Sequence, residues 1–326
     1  MAEYIVVKMK EMTPLHIGTG RENYDFSSST LHSDTISSAL AAIRVKYGNG
    51  KNIEEFMNSF CISSAFPYIG DSFFLPRPLG ELKIKIADCP EYTSRKRLKS
   101  IKYIELSLWK EIVQGNSIAI KSNQLVNGFL MPEQREFEVP SISQVNQRVS
   151  VPRDDNGKTT PFFFDWTYFN DNAGLYCLLN SDDIIKEEIL SLFTLLGETG
   201  IGTDKNIGGG KFSVSVDEMT LPDFDSNSSM LLSLYIPTED EITFNIDLEA
   251  SRYDLLLRGG YMAGSSINDF GHLHKKSIFM FDVGSIFVHS NPLKGKIVDL
   301  QPIDYHDTRM HPVYRSGHPF VVPVKL

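Results

Sequence analysis

Six glycines fall within the sixteen residues from Gly197 to Phe212, GETGIGTDKNIGGGKF. The segment follows a stretch with helical periodicity and precedes KFSVSV, whose alternation is typical of a strand. Glycine adopts positive φ without steric cost and lets another backbone approach closely. The six glycines between this helix and this strand therefore require an explanation in terms of the backbone.

This glycine loop, residues 197–212, has two interpretations. Either successive N–H groups form a concavity that binds a phosphate, or the loop is merely flexible. The candidate phosphate ligands are five glycine N–H groups and two lysines: Gly200, Gly202, Gly208, Gly209, Gly210, Lys205 and Lys211. Nucleotide fingerprints do not fit, because Lys205 stands where both Walker A and GxGxxG need a glycine, and those motifs run from strand to helix.

Periodicity predicts the elements around the loop. Residues 3–12 read as a first strand, and Ser33 or Asp34 can cap a helix that ends at Gly48. A second helix is predicted over 181–197, ended by Gly197, with its apolar stripe at Ile184, Ile185, Ile189, Leu192, Phe193 and Leu196. The order is that of a βαββαβ unit with an expanded middle.

The expanded middle contains a polar, proline-punctuated stretch from Ser122 to Thr160. We expect an exposed hairpin, or thumb, there rather than packed core. Arg148 and Arg153 flank its apolar segment and could hold phosphates on either side of a wedge between stacked bases.

A polar break at LPDFDSNSSM divides the chain into residues 1–222 and 223–326. Strand-like runs follow the break: MLLSLYIP, EITFNID, RYDLLLRGGY, KKSIFMFDVGSIF, KIVDL and HPFVVPV. No long helix is signalled among them. We therefore expect an α+β protein of two domains.

Composition limits the class of protein. The 326 residues carry a net charge of −9, which disfavours a nucleic-acid binder unless the basic residues are concentrated locally. One such concentration is Arg95, Lys96, Arg97, Lys99 and Lys102, which reads as a solvated helix face or as an RNA or subunit contact.

Three scattered cysteines favour neither disulfides nor a zinc site. No signal peptide or membrane span is evident, and we expect a cytoplasmic protein.

Several segments, in their order along the chain, resemble segments of the RAMP superfamily of CRISPR proteins. The glycine loop after the last helix of a ferredoxin-like unit is one of them. TLHSDTISSALAAI, AFPYIGDSFFLPRPLGEL, LLLRGGYMAGSS, FDVGSIF, GKIVDLQP and MHPVYRSGHPFVVPV are similar in order and spacing to subunit four of the type III-A, or Csm, complexes. Members of that family cap the 5′ end of the crRNA.

The resemblance implies two ferredoxin-like, RRM-like domains, with an expanded thumb-like β-hairpin inserted in the first. It implies a non-catalytic subunit that binds the crRNA 5′ tag, anchors the large polymerase-like subunit, joins backbone RAMP subunits and meets target RNA indirectly. Expected RNA contacts are the start of the first helix, the thumb, the glycine loop and the LLLRGGYMAGSS segment: His32, Ser33, Thr35, Arg148, Arg153 and Arg258, besides the loop residues above. No cofactor or metal is expected.

Three alternatives stay open. The chain could be a RAMP endoribonuclease that processes crRNA with His16 or His32 as the catalytic group. It could instead be the equivalent subunit of another type III subtype. A metal held by His272 and His274, with His306, Asp307 and His311, is the least favoured because the spacing matches no strong signature.

Overall fold

The structure is a computed structural model that describes residues 1–18, 24–48, 50–132, 138–151, 157, 159–262, 265, 267–302, 305 and 307–325. Within these residues the fold is mixed α+β. The α-helices are α1 Ser33–Lys46, α2 Ile53–Asn58, α3 Glu91–Lys99, α4 Leu106–Val113 and α5 Asp183–Thr199. None of the described helices is long and apolar enough to cross a membrane.

The strands are short except where they form the main sheet and the hairpin. In the first half they are β1 Ala2–Lys10, β2 Phe60–Ile62, β3 Phe66–Ile69, β4 Ser72–Pro76, β5 Ile84–Ile86, β6 Tyr103–Glu105, β7 Ile118–Ile120, β8 Leu125–Val126, β9 Phe129–Leu130, β10 Ser141–Ser150, β11 Thr160–Phe169, β12 Ala173–Ser181 and β13 Ser213–Leu221. In the second half they are β14 Ser228–Leu231, β15 Ile246–Arg252, β16 Leu255–Arg258, β17 Ile278–Phe281, β18 Ile286–His289, β19 Ile297–Asp299, β20 Tyr314–Ser316 and β21 Val321–Pro323.

The main sheet has the strand order β13-β1-β12-β3-β4-β6-β9-β8, with β2 also paired to β12. Its centre is antiparallel: Val7 of β1 lies opposite Cys177 of β12 on one side and Val216 of β13 on the other. Residues 173–179 of β12 are buried on both faces. This strand reads as a continuous apolar run because each face of the sheet packs against a separate layer.

Helices α1 and α5 cover one face of the main sheet. Leu40 and Ile43 of α1 and Ile189 and Phe193 of α5 join Val7 and Cys177 in one core of buried apolar side chains. Both helices were predicted from their periodicity, and both are confirmed.

The sequence prediction for α5 was wrong in two details. The helix continues through Gly197 to Thr199 and stops at Gly200, whose φ of +84° is outside the helical region. Ile184 is 93% exposed, although it was assigned to the apolar stripe. Ile184 lies in the first turn of α5, before the part of the helix that packs on the sheet, so its side chain has no apolar surface to cover.

The second half forms a four-stranded antiparallel sheet of order β15-β18-β14-β21. Met230 and Leu232 from this half, with Val322, pack against Tyr176 and Leu178 on the other face of the main sheet. The two halves therefore share one core. Among the described residues after α5, helical backbone is confined to short turns at Lys205–Ile207, Glu241–Asn245 and Asn268–Phe270. The predicted strand over 241–247 accordingly begins only at Ile246.

The predicted thumb boundaries, 122–160, require correction. Residues 125–130 form β8 and β9, which belong to the edge of the main sheet. The hairpin is made by β10 and β11, which pair in register from Ser141 with Phe169 to Ser150 with Thr160. The hairpin therefore ends at Phe169, nine residues later than the sequence suggested. The sequence alone does not show that the aromatic strand β11 pairs with β10.

A buried ion cluster joins the halves. Asp34, in the first turn of α1 and 1% exposed, accepts two hydrogen bonds of 3.0 Å from Arg258 at the end of β16 and also pairs with Arg315 of β20. Burial alone would raise the pKa of Asp34, but Arg315 and Arg258 outweigh it and hold that pKa well below its usual range. Asp34 is therefore a buried carboxylate between two guanidinium groups, not the cap predicted from sequence; neither it nor Ser33 caps α1.

We expect Asp34→Asn to lower the free energy of unfolding by about 3–5 kcal/mol, because it leaves two buried guanidinium groups without their counter-ion. The matched control is Asp217→Asn, which removes an exposed carboxylate 3.0 Å from Lys8 and should lose less than about 1 kcal/mol. Urea unfolding of the two variants measures the difference. Similar losses would contradict the role given to Asp34.

Candidate nucleic-acid interface

The glycine loop is closed by its own backbone. Ile201 donates to the carbonyl of Gly210 (2.9 Å), and Gly210 donates to that of Pro14 (2.9 Å). Thr203 donates to the carbonyl of His16 (3.0 Å), so the loop is bound to the segment after β1. A Cβ on Gly210 would lie 1.9 Å from the carbonyl oxygen of Ile201, with φ at +65°. Gly210 is thus needed for the loop to fold back on itself.

The expected phosphate cradle of glycine N–H groups is not what the structure shows. Four of the five N–H groups already donate within the protein: Gly200 to Leu196, Gly208 to Lys205, Gly209 to Asp204 and Gly210 to Pro14, at 2.7–3.2 Å. Tight backbone closure uses these donors, so they are not directed at a ligand. The side chains of the loop remain the candidates for contact with an anion.

Two cations lie on the outside of the loop. Lys205 and Lys211 are both exposed. Burial of part of its side chain, together with the charge of Lys46 at the end of α1, lowers the pKa of Lys205. Lys46 was not predicted, since only the fold brings the end of α1 to the loop. Glu198 and Asp204 balance the two loop lysines in number, and Lys46 adds one positive charge nearby.

The β10–β11 hairpin is attached to the loop through Arg148. Its Nη1 lies 2.7 Å from Oδ2 of Asp204, and its guanidinium carbon lies 4.3 Å from the ring centroid of Phe164. Trp166 contacts the loop directly, because a Cβ on Gly209 would lie 2.7 Å from its ring. Arg148 is therefore in the stem of the hairpin rather than at a free tip. Arg153 lies outside the described residues.

An aromatic stack continues from Arg148 toward solvent. Tyr24 is stacked on Phe164 with ring centroids 5.7 Å apart and an interplanar angle of 13°. Tyr24 is 48% exposed, and Phe163 on the opposite face of β11 is exposed as well. Exposed rings beside cations are what single-stranded nucleic acid binds by stacking. Sequence reasoning missed both residues, although PFFFDW in β11 carried a signal for Phe163.

The start of α1 is covered rather than open. His32 and Ser33 are buried. The hydroxyl of Ser33 accepts from the N–H of Leu234 (2.9 Å), and that of Thr35 accepts from Arg258 (2.9 Å). The expectation that this helix end, with Arg258, forms an open anion site is thereby corrected. The second half of the chain occupies it, with Arg315 as an unpredicted member.

The histidines form no metal cluster among the described residues. The ring centroid of His274 lies 4.0 Å from that of Tyr261, and Nε2 of His311 lies 2.8 Å from the hydroxyl of Ser265. His306 lies outside the described residues. Nothing in the described geometry groups these side chains as ligands.

Comparison with known families decides what kind of fold this is. Residues 8–213 match the family model of the RAMP superfamily, which is more than half of the chain. The chain belongs to the RAMP superfamily. Residues 225–324 of this RAMP protein match the CRISPR Csm4 C-terminal domain. The resemblance to subunit four of the type III-A complexes is therefore confirmed.

Individual relatives agree with the family models. The RAMP protein is 27% identical over 262 residues to the CRISPR system Cms protein Csm4 of Thermococcus onnurineus (strain NA1), covering 77% of this chain and 81% of that protein. Its structure resembles a chain of the Csm1-Csm4 cassette in complex with cA4, with a TM-score of 0.64, 21% identity and coverage of 100% and 99%. A chain of the Csm3-Csm4 subcomplex in the type III-A CRISPR-Cas interference complex gives a TM-score of 0.61, 19% identity and coverage of 99% and 100%. At these identities the two structures show a shared fold.

Two alanine substitutions distinguish the cost of a positive φ in the loop from the cost of a clash with the loop's own backbone. A Cβ on Gly208, at φ +91°, meets nothing within 4 Å, whereas one on Gly210 overlaps Ile201. We expect Gly208→Ala to lower the free energy of unfolding by about 1 kcal/mol and Gly210→Ala by roughly 3 kcal/mol or more, since only the second adds a backbone clash. Urea unfolding of the pair gives the comparison. Equal losses would mean that the close approach at Gly210 does not hold the loop.

Proposed function

We propose that this chain is a non-catalytic subunit of a type III-A CRISPR interference complex that binds the 5′ tag of the crRNA. The observation that carries the proposal is the surface where the glycine loop meets the hairpin. There the exposed Tyr24 stacks on Phe164 next to Arg148, and Arg148 pairs with Asp204 of the loop. Lys205 and Lys211 of the same loop are exposed. Stacking on a ring and ion pairing with phosphates together suit a short single strand.

The same proposal includes the chain's partners. The matched solved structures are named as Csm1-Csm4 and Csm3-Csm4 assemblies, and this chain shares their fold over its whole length. We infer that it anchors the large polymerase-like subunit, joins the backbone RAMP subunits and meets target RNA only through the assembled complex. We expect the chain to need no cofactor of its own.

We infer that both halves derive from ferredoxin-like units, with the boundary near residue 222. In sequence order, the first half's central strands β13-β1-β12-β3 follow the pattern 4-1-3-2. The second half's β15-β18-β14-β21 follows 2-3-1-4, the same order viewed from the other edge. Such an antiparallel order is that of the βαββαβ fold. The first half retains the two helices as α1 and α5, and the β10–β11 hairpin is inserted in it before β12.

Removal of the two loop lysines tests the RNA surface. Lys205→Ala with Lys211→Ala should weaken binding of tag RNA and reduce the slope of log Kd against log salt by about 1.4, because each phosphate contact on a single strand contributes about 0.7. Thermal stability should be unchanged, since both side chains are exposed. The measurement is a salt titration of a tag-length RNA on the chain assembled with its large partner.

The matched control removes two exposed lysines elsewhere, Lys51→Ala with Lys276→Ala, for the same change in net charge. It should leave the salt slope nearly as it is. If both double variants reduce the slope alike, the effect is long-range charge and the loop is not the tag site.

We also propose that the chain does not cleave RNA itself. His16 is buried, with Nδ1 2.7 Å from the carbonyl oxygen of Asp165. Burial, with the charge of Arg258, lowers the pKa of His32 to about 4, so its imidazole is neutral at pH 7. A general acid or base must reach the scissile phosphate, and neither buried ring is open to one. This argues against the endoribonuclease alternative.

Incubation of the purified chain with a repeat RNA should yield no discrete product. His16→Ala and His32→Ala should leave cleavage of target RNA by the assembled complex within a few-fold of wild type, on the order expected when no catalytic group is removed. A discrete cut by the chain alone, abolished by either substitution with the fold intact, would favour the endoribonuclease.

A further inference from the structure

Positive charge is concentrated in a part of the chain that the proposed function does not use. Residues 82–130 contain nine Lys and Arg against four Asp and Glu, a net charge of +5 in a chain of −9. Subtracting +5 from −9 leaves −14 for the remaining residues. So strong a separation creates a local field opposite in sign to that of the whole protein.

The centre of this basic segment is helix α3. Its inner face is set by the buried Ser94 and the half-buried Leu98, which pack toward the protein. Its outer face carries Tyr92, Lys96 and Lys99, at spacings of four and three residues that place them in one stripe. Tyr92 is 88% exposed. An aromatic ring thus stands in line with two cations on a free helix surface.

A polar groove continues the stripe beyond the end of α3. It encloses about 660 Å³ and is lined by Arg97 and Lys102 together with hydroxyl and amide groups of Ser100, Ser122, Asn123 and Asn127. Asp88 accepts hydrogen bonds from the N–H and the hydroxyl of Ser122, a residue of the groove, both at 2.8 Å. Within the described residues Lys96, Lys99 and Lys102 form no ion pair, so their charge is available to a ligand.

This surface is remote from the glycine loop. Helix α3 leads into β6 and the groove borders β8 and β9, at one edge of the main sheet, whereas the glycine loop leads into β13 at the other edge. Seven inter-strand spacings of about 4.8 Å give roughly 30 Å between the edges. One short strand segment cannot occupy both surfaces at once without crossing the sheet.

We propose that the α3 stripe and its groove form a second RNA surface, which binds the backbone of single-stranded RNA outside the tag. Phosphates pair with Lys96, Lys99 and Lys102, the hydroxyl and amide groups of the groove contact phosphate and ribose oxygens, and a base stacks on Tyr92. Cations interleaved with an exposed ring are the features of sequence-tolerant single-strand binding. An acidic protein fits less well, because the groove is lined mostly by charged and small polar residues, with Leu125 as the single apolar side chain of its lining to hold an anchoring side chain.

The test compares two triple variants of the full chain with the same loss of charge. Lys96→Ala, Lys99→Ala and Lys102→Ala remove the surface, and Lys10→Ala, Lys51→Ala and Lys276→Ala remove exposed lysines elsewhere. The probe is a fluorescent 15-nucleotide uridine RNA without a tag, titrated at several salt concentrations. We expect the first variant to bind about tenfold more weakly at low salt, with a salt slope smaller by about 2, and the second to bind nearly as wild type.

Two further measurements complete the test. Tyr92→Ala should weaken binding about fivefold without changing the salt slope, since stacking contributes no counter-ion release. The loop surface is also sequence-tolerant, so Lys205→Ala with Lys211→Ala should weaken binding of this RNA too. Because the two surfaces are far apart, the free-energy losses of this double variant and of the α3 triple variant should add when the two are combined, which separates failure here from failure at the loop. The proposal would be overturned if wild type does not bind the RNA, or if both triple variants lose the same affinity. It would also be overturned if polyglutamate binds as strongly as the RNA and is weakened as much by the α3 triple variant, because that would indicate a surface for acidic proteins.

Discussion

A single buried carboxylate links the two halves of this molecule. Asp34 belongs to α1, while its partners Arg258 and Arg315 belong to strands of the second half. A buried charge is tolerated only when it is paired, so α1 can be buried only where those arginines are present. The pairing fixes the second half over the start of α1, and the shared core around Tyr176 and Met230 then packs behind it.

That arrangement determines which surfaces are left for RNA. Because the second half covers the start of α1, the helix dipole there is not exposed to a phosphate. The glycine loop's N–H groups are also used, in closing the loop on Pro14 and His16. What remains is side-chain chemistry on a rigid backbone: Lys205 and Lys211 on the loop, and Tyr24 on the hairpin. Such a surface binds by ion pairing and stacking, which need no particular base.

Sequence periodicity was sufficient for β1, α1 and α5, since each carries its own local pattern. It was insufficient wherever a residue's role depends on a distant partner. Asp34 reads as a cap until Arg258 and Arg315, over 220 residues away, are brought beside it. Arg148 reads as part of a free tip until Asp204 is seen 2.7 Å from it. The proposed RNA surface at Tyr24 could not be predicted from the sequence, because it forms only where the hairpin lies on the loop.

Photo-crosslinking tests the central claim, that the loop and hairpin hold the tag, most directly. A tag-length RNA with 4-thiouridine at successive positions is irradiated in the assembled complex, and the crosslinked peptides of this chain are mapped by mass spectrometry. We expect crosslinks at Tyr24 and within residues 205–211. Crosslinks confined to residues 223–325, or to the start of α1, would contradict it, since that would place the tag on the half that covers Asp34.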